Sequence, residues 1–313
     1  MNWFNEFNLP EAKSTYASDV DALFFFLNAT SFIILIGTTI TVIYFIIRYK
    51  RKSDDDVTPL ITHNTQLEIA WAVIPLILVL IVFGWGFKGH LTMRNVPETA
   101  YEVKVTGFKW AWRFSYANGA VSPNELHVPA GRPIKLVMSS TDVIHSFFVP
   151  DYRMKQDVVP GRYTTAWFEA PEPGESIVFC TEYCGTSHSN MMAKVIVHEQ
   201  ADFDLWLASN KAPTNIQNPI EYGEKMVTDN ACLTCHSLDG SALVGPSFVG
   251  LFGRDGEMAD GTIVTADENY IRESILNPQA KIVKGYAPVM PTYQGAFADE
   301  QIDAIIEYLK TVK

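Results

Sequence analysis

The stretch Cys180-Thr-Glu182-Tyr-Cys184-Gly-Thr-Ser-His188-Ser-Asn-Met191 gathers two thiols, an imidazole and a thioether in one short run. A further imidazole, His145, lies 35 residues before Cys180. Soft thiolates and thioethers together with imidazoles select copper or zinc over hard cations. A structural zinc would close on Cys180, Cys184, His188 and His145. That leaves Met191 idle, and methionine is a poor zinc ligand. A disulfide between Cys180 and Cys184 is the other simple reading, and it gives neither histidine nor Met191 a role. A blue-copper site needs one cysteine, two histidines and a weak axial group. The donors here exceed that need: two thiolates can bridge a pair of coppers, and one electron spread over two metals keeps reorganisation small.

The sequence around the loop supplies a domain to hold it. From about Tyr101 to Val197 short alternating apolar runs, such as Ile134-Lys135-Leu136-Val137-Met138 and Ala193-Lys194-Val195-Ile196-Val197, are separated by Gly, Pro and Asn. That texture predicts an all-β sandwich or barrel. Asp202 to Ser209 predicts one short helix, and the polar, proline-containing run 210–219 (NKAPTNIQNP) reads as a linker.

Upstream, Leu23 to Tyr49 is uncharged until Arg48, and Leu67 to Phe87 carries Glu68 as its only charge. About 20 apolar residues cross a bilayer, so each stretch is long enough. Arg48, Lys50, Arg51 and Lys52 crowd the end of the first stretch, against Lys13 before it and Lys88 and Arg94 after the second. The positive-inside rule therefore puts the connecting loop in the cytoplasm and both ends of the chain outside. The first stretch then serves as an uncleaved signal anchor. Pro75 inside the second is tolerable, because neighbouring groups in a membrane satisfy the carbonyl it frees. Glu68, an ionisable group at a membrane edge, is a functional candidate or else a snorkelling interfacial charge.

Downstream lies Cys232-Leu-Thr-Cys235-His236, the spacing at which two thiols add to the vinyl groups of a haem and the next imidazole reaches its iron. Helical patterns at Glu221–Asp229, Asn269–Leu276 and Asp299–Val312 surround it. For the sixth iron position Met226 lies too near the motif and Met258 sits in a polar loop, which leaves Met290 in Pro288-Val289-Met290-Pro291. His/Met ligation is the electron-transfer choice and raises the potential. Pro246 can fix His236 by accepting its free ring N–H through the backbone.

The net charge of −11 argues against nucleic acid or an anionic surface as main partner. Residues 221–313 carry 14 acidic against 7 basic side chains, a local excess of −7.

The order of two membrane spans, a β domain, the segment His145-Ser-Phe-Phe-Val-Pro150 and the Cys180–Met191 loop resembles subunit II of haem–copper cytochrome c oxidases. The segment from about Ile220 is similar to a class I cytochrome c, as in those oxidases whose subunit II carries its own haem. The resemblance implies a two-helix transmembrane hairpin (1–97, spans about 23–47 and 67–88), an all-β cupredoxin-like domain (98–200), a short helix and linker (201–219) and an all-α cytochrome c domain (220–313). It implies a binuclear CuA centre on His145, Cys180, Cys184, His188, Met191 and the Glu182 carbonyl, with the Glu182 side chain at a Mg²⁺ site facing subunit I. It implies covalent haem c on Cys232, Cys235, His236 and Met290, electron entry at Trp110 and proton entry at Glu68. Ala111 stands where many relatives have another aromatic, and Trp110 read by itself is a plain core aromatic.

The implied function is electron transfer from haem c through CuA to subunit I, which reduces dioxygen to water with proton translocation. Implied partners are subunits I and III and a donor such as a quinol-oxidising complex or another cytochrome c, in a bacterial inner membrane with the redox domains periplasmic. The alternatives are the input subunit of a CuA-type nitric oxide reductase and a free-standing membrane electron shuttle.

Overall fold

The computed structural model describes residues 9–57, 60, 62–210, 218–294 and 297–313. Most of the expected linker, 211–217, lies outside the described residues. The chain divides into two compact units: Thr15–Asn95, and Val96–Lys313 together with the stretch ending at Ser14.

The first unit is a pair of helices, α1 (Ala17–Arg48) and α2 (Thr65–Arg94). Both outrun the apolar stretches read from the sequence, because a helix follows its backbone hydrogen bonds beyond the greasy span. Their apolar side chains face outward all round, among them Phe32, Ile33, Ile40, Ile47, Leu76, Val79 and Phe83. A core helix would bury one stripe, whereas a helix apolar on every side suits lipid. Phe26 meets Trp85 at 5.8 Å and Leu23 lies beside Gly86, so the start of α1 adjoins the end of α2 in an antiparallel hairpin. Asn64 caps α2 by accepting from Leu67 N–H, while its own N–H donates to Glu68 Oε1 at 3.2 Å.

The second unit opens with a two-sheet sandwich. β1 (Tyr101–Phe108), β2 (Ala111–Ser115), β3 (Val121–Pro123), β5 (Ile134–Ser140) and β8 (Thr164–Phe168) form one sheet in the order β3-β2-β1-β5-β8. β4 (Glu125–Pro129), β6 (His145–Val149), β7 (Met154–Val158), β9 (Gly174–Cys180) and β10 (Met192–His198) form the other in the order β4-β10-β9-β6-β7. β1 pairs with β5 and β4 with β10 in parallel, so the sandwich is mixed. Strict alternation along β5 sends Ile134, Leu136 and Met138 inward, where they are fully buried, as are Trp112, Phe114, Leu126, Phe147 and Phe168. The core fixes the register, and the register fixes the ends of β6 and β9 side by side: Phe147 pairs with Cys180.

The stretch before α1 is tied to this sandwich. Lys13 donates its N–H to the Asp151 carbonyl and its Nζ to that of Glu175, and Arg153 reaches the Pro10 carbonyl. After β10, α3 (Gln200–Ser209) packs back on the sandwich, with Trp206 stacked on His127 at 4.1 Å and edge-on to Tyr116 at 5.0 Å.

The remainder holds α4 (Pro219–Asp229), α5 (Glu268–Leu276) and α6 (Asp299–Thr311). Asn218 caps α4 with Pro219 in its first turn, and Asp267 caps α5. α4 crosses α6 at Gly223, where a Cβ would collide with the Ala304 carbonyl oxygen. Val227, Ile271, Ile275, Ile302, Ile305 and Leu309 close the core. The expected all-helical domain also carries one small hairpin, β11 (Asp255–Glu257) and β12 (Ile263–Thr265). Strands of three residues are too short for an alternation to register in the sequence.

Candidate functional site

His145 starts β6, Cys180 ends β9, and the loop to β10 carries the rest of the donor set. Cys180 Sγ lies 3.8 Å from His145 Nδ1, 3.9 Å from Cys184 Sγ and 3.3 Å from the Glu182 carbonyl oxygen. Cys184 Sγ in turn lies 3.4 Å from His188 Nδ1 and 3.7 Å from Met191 Sδ. Both thiols are free and buried, and His145 and Met191 are fully buried. All six sequence-picked donors thus meet at one end of the sandwich. Their number exceeds what one tetrahedral zinc takes, and the sulfurs are not joined.

The electrostatics call for a cation. Burial raises the Cys180 thiol, but hydrogen bonds from His145, from the backbone and with Glu182 outweigh it and bring the group down to about 7. Burial and the adjoining Cys180 push Cys184 up to about 12. Holding both as thiolates at this distance would need positive charge between them, of the kind a bound metal supplies. His145 turns its other nitrogen, Nε2, to Asp142 Oδ1 at 2.8 Å, the outer-shell support that orients a metal-binding imidazole. Asp142 was not among the residues singled out from the sequence. Its signal, a carboxylate three residues before a ligand histidine, is weak because carboxylates are common on loops.

The haem-type residues line a second site, an apolar cavity bounded by Cys232, Cys235, His236 and Met290. His236 Nδ1 lies 2.6 Å from the Pro246 carbonyl and the ring stacks on Phe248, which leaves Nε2 as the free nitrogen. Gly245 permits this: a Cβ there would stand 2.7 Å from His236 Cε1. Burial holds His236 below its usual pKa, hence neutral and able to ligate, although the Pro246 carbonyl opposes that shift. Among the described residues Met290 is the one methionine on the cavity wall; Met226 and Met258 are buried. Ser274 Oγ lies 3.8 Å from Met290 Sδ. The residues fit a haem held at both faces.

Three family models cover most of the sequence. "Cytochrome C oxidase subunit II, transmembrane domain" matches residues 2–88, "Cytochrome C oxidase subunit II, periplasmic domain" matches 120–199, and "Cytochrome c" matches 220–313. Cytochrome c oxidase subunit 2 of Alkalihalophilus pseudofirmus is 34% identical over 294 residues, covering 89% of this chain and 83% of that one. The chain belongs to the cytochrome c oxidase subunit II family. The subunit of Synechocystis is 31% identical over 257 residues, covering 66% of this chain and 77% of that one. Among solved structures, the periplasmic domain of subunit II of cytochrome oxidase from Bradyrhizobium japonicum is 29% identical, with a TM-score of 0.37, over 37% of this chain and 97% of that one.

As a subunit II with an appended cytochrome c domain, the chain is an electron-transfer component of a haem–copper oxidase. It is a membrane protein with two spanning helices and carries the copper and haem domains of its family.

The turn between β1 and β2 connects the two sites of this subunit II. Phe108, Lys109, Trp110 and Ala111 line the haem cavity beside Cys232. Trp110 is 3% exposed, and its indole lies against Gly185 in the copper loop. Phe108 and Ala111 bury themselves against Ala231, and Arg113 Nη1 donates to Asn230 Oδ1 at 2.8 Å. The sequence gives no sign of this seam, since two complementary surfaces far apart in the chain leave no local pattern. Glu182 exposes its side chain, and Glu68 is half-buried on the first turn of α2.

Proposed function

We propose that this chain takes electrons at its haem end and delivers them from its copper end to subunit I of a haem–copper oxidase, which reduces dioxygen to water and translocates protons. Functional boundaries are taken at 1–97, 98–200, 201–219 and 220–313. When bound, the haem and the dicopper pair supply one-electron storage without proton uptake.

The chain's residues do the rest. Cys232 and Cys235 would anchor the haem by thioethers, with His236 and Met290 on its iron. His145, Cys180, Cys184, His188, Met191 and the Glu182 carbonyl would hold two coppers, and the burial of His145, Cys180, Cys184 and Met191 shields that side of the set from water. The exposed Glu182 carboxylate suits a Mg²⁺ shared with subunit I, since Mg²⁺ prefers oxygen donors. Glu68, at the edge of the second span, suits proton entry.

The carrying observation is the position of Trp110, buried with one side in the haem cavity wall and the other on Gly185 of the copper loop. Electron entry at Trp110 is therefore internal, from the chain's own cytochrome. The cluster Arg48, Lys50, Arg51 and Lys52 supports a cytoplasmic loop. The tie of Lys13 to Asp151 supports an N-terminal stretch on the same side as the copper domain, the periplasmic side of a bacterial inner membrane. Partners are subunits I and III and an external donor, a quinol-oxidising complex or another cytochrome c.

Purification of the complex tests this reading. Co-purification of a haem–copper subunit, oxygen uptake and a mixed-valence dicopper EPR signal are expected. Nitric oxide reduction without oxygen uptake would assign the chain to the other enzyme class, and absence of the dicopper signal would remove the copper assignment.

A further inference from the structure

The carboxylate of Asp142 has one oxygen toward each redox site. Oδ1 meets His145 Nε2 at 2.8 Å and accepts the N–H of Val143 at 2.6 Å. Oδ2 accepts the backbone N–H of Lys109 at 2.7 Å. Lys109 lines the haem cavity, and its peptide leads directly into Trp110. His145 Nδ1 points back at Cys180. One side chain therefore spans from the wall of the haem cavity to an imidazole of the copper set through two hydrogen bonds.

Asp142 therefore takes part in three hydrogen bonds, with His145 Nε2 and with the N–H groups of Lys109 and Val143. Charge-assisted bonds of this kind are shorter and stronger than neutral ones. The turn Phe108–Ala111 also packs on Ala231 of the cytochrome seam and, through Trp110, on Gly185 of the copper loop. Asp142 adds its hydrogen-bonded fastening on the copper side.

We infer that Asp142 is a positioning residue for electron transfer between the two centres: it sets the Lys109–Trp110 turn against the haem and orients His145 on the copper. The inference rests on the copper and haem reading given above. The step it serves moves one electron from ferrous haem, which becomes ferric, to the oxidised dicopper pair, which gains that electron. No proton moves and no bond is made or broken. The packed contact of Trp110 on Gly185 and the hydrogen-bonded link through Asp142 then run side by side.

The test uses the full chain in its oxidase complex with both cofactors, comparing wild type with Asp142→Asn and Asp142→Glu. Asparagine keeps one acceptor oxygen and places an NH₂ against the second donor, so it breaks one of the two links. Rapid photoreduction of the haem, followed at the copper absorbance, is expected to show slower transfer in Asp142→Asn, because the Lys109–Trp110 turn and His145 lose their shared anchor. The copper EPR hyperfine pattern should change as well, while reduction of the haem by an external donor keeps its wild-type rate. Asp142→Glu, which restores a carboxylate, should recover part of the rate. Unchanged transfer with an unchanged EPR pattern would overturn the inference. So would loss of copper in both variants alike, which would reduce Asp142 to a copper-loading residue. A wild-type complex lacking the dicopper signal would instead defeat the underlying copper reading, whatever the variants do.

Discussion

The indole of Trp110 rests on the bare α-carbon of Gly185: a Cβ at that position would lie 3.2 Å from Cζ2 and 3.3 Å from Nε1 of the ring. The same glycine has a φ of +127°, outside the range L side chains readily adopt. Gly185 follows Cys184 directly, so the contact joins the haem-side turn to a copper thiol through one residue.

Replacing Gly185 by alanine is therefore expected to act on two observables at once. Backbone strain should cost about 1–3 kcal/mol of copper-domain stability, read as a lower melting temperature. Displacement of Trp110 should slow electron transfer from haem to copper without altering haem reduction. A variant with wild-type melting and transfer would show that the contact has no consequence.

Met290→Ala tests the haem axis. Loss of a thioether ligand removes the donor that favours reduced iron, so the haem potential should fall by on the order of a hundred millivolts, a fraction of the range axial ligands command. A redox titration checks it, with the dicopper EPR signal expected to stay as in wild type. An unchanged potential would move the sixth ligand elsewhere.

Copper loading should release protons. Cys184 is held up to about 12 by burial and by Cys180, whereas Cys180 titrates at about 7 despite its burial. Both must be thiolates to bind metal. Apparent copper affinity should thus fall with decreasing pH, by at least roughly tenfold per unit because Cys184 must lose a proton, and more steeply once Cys180 and His145 also hold protons. Competition titrations against a copper chelator at several pH values measure the slope.

His127 predicts an acid limb in stability. Burial and the nearby His198 depress its pKa, while Glu125 opposes them. A histidine with a folded pKa below its unfolded value of about 6.5 binds fewer protons when folded, so stability is full above that pH and is lost as pH falls below it. His127 Nδ1 lies 2.8 Å from His198 Nε2, and Trp206 of α3 stacks on the ring. His127→Phe keeps the stacking and removes the titration. Its unfolding free energy should vary less between pH 7 and 5 than that of wild type in denaturant titrations.

Legibility from sequence followed chemical rarity. Cysteines and methionines are scarce, so Cys180, Cys184, Met191, Cys232, Cys235 and Met290 stood out, and the two sites gather them as neighbours. Period and length exposed α1, α2 and the alternating strands. Asp142 and the Arg113–Asn230 link stayed hidden because carboxylates, guanidiniums and amides occur everywhere, and only the fold brings residues 117 positions apart within a hydrogen bond. The hairpin β11–β12 was hidden for a different reason: each strand has three residues, less than two full periods.

The seam that covers Trp110 has a kinetic meaning. On the proposed route through this tryptophan, donor and acceptor belong to one molecule, so delivery to copper should be first order and indifferent to the concentration of any free carrier. Ionic strength, which governs encounters between charged proteins, then acts on the filling of the haem alone. A salt series should separate the two steps cleanly: one rate constant bends with salt, and the other stays flat.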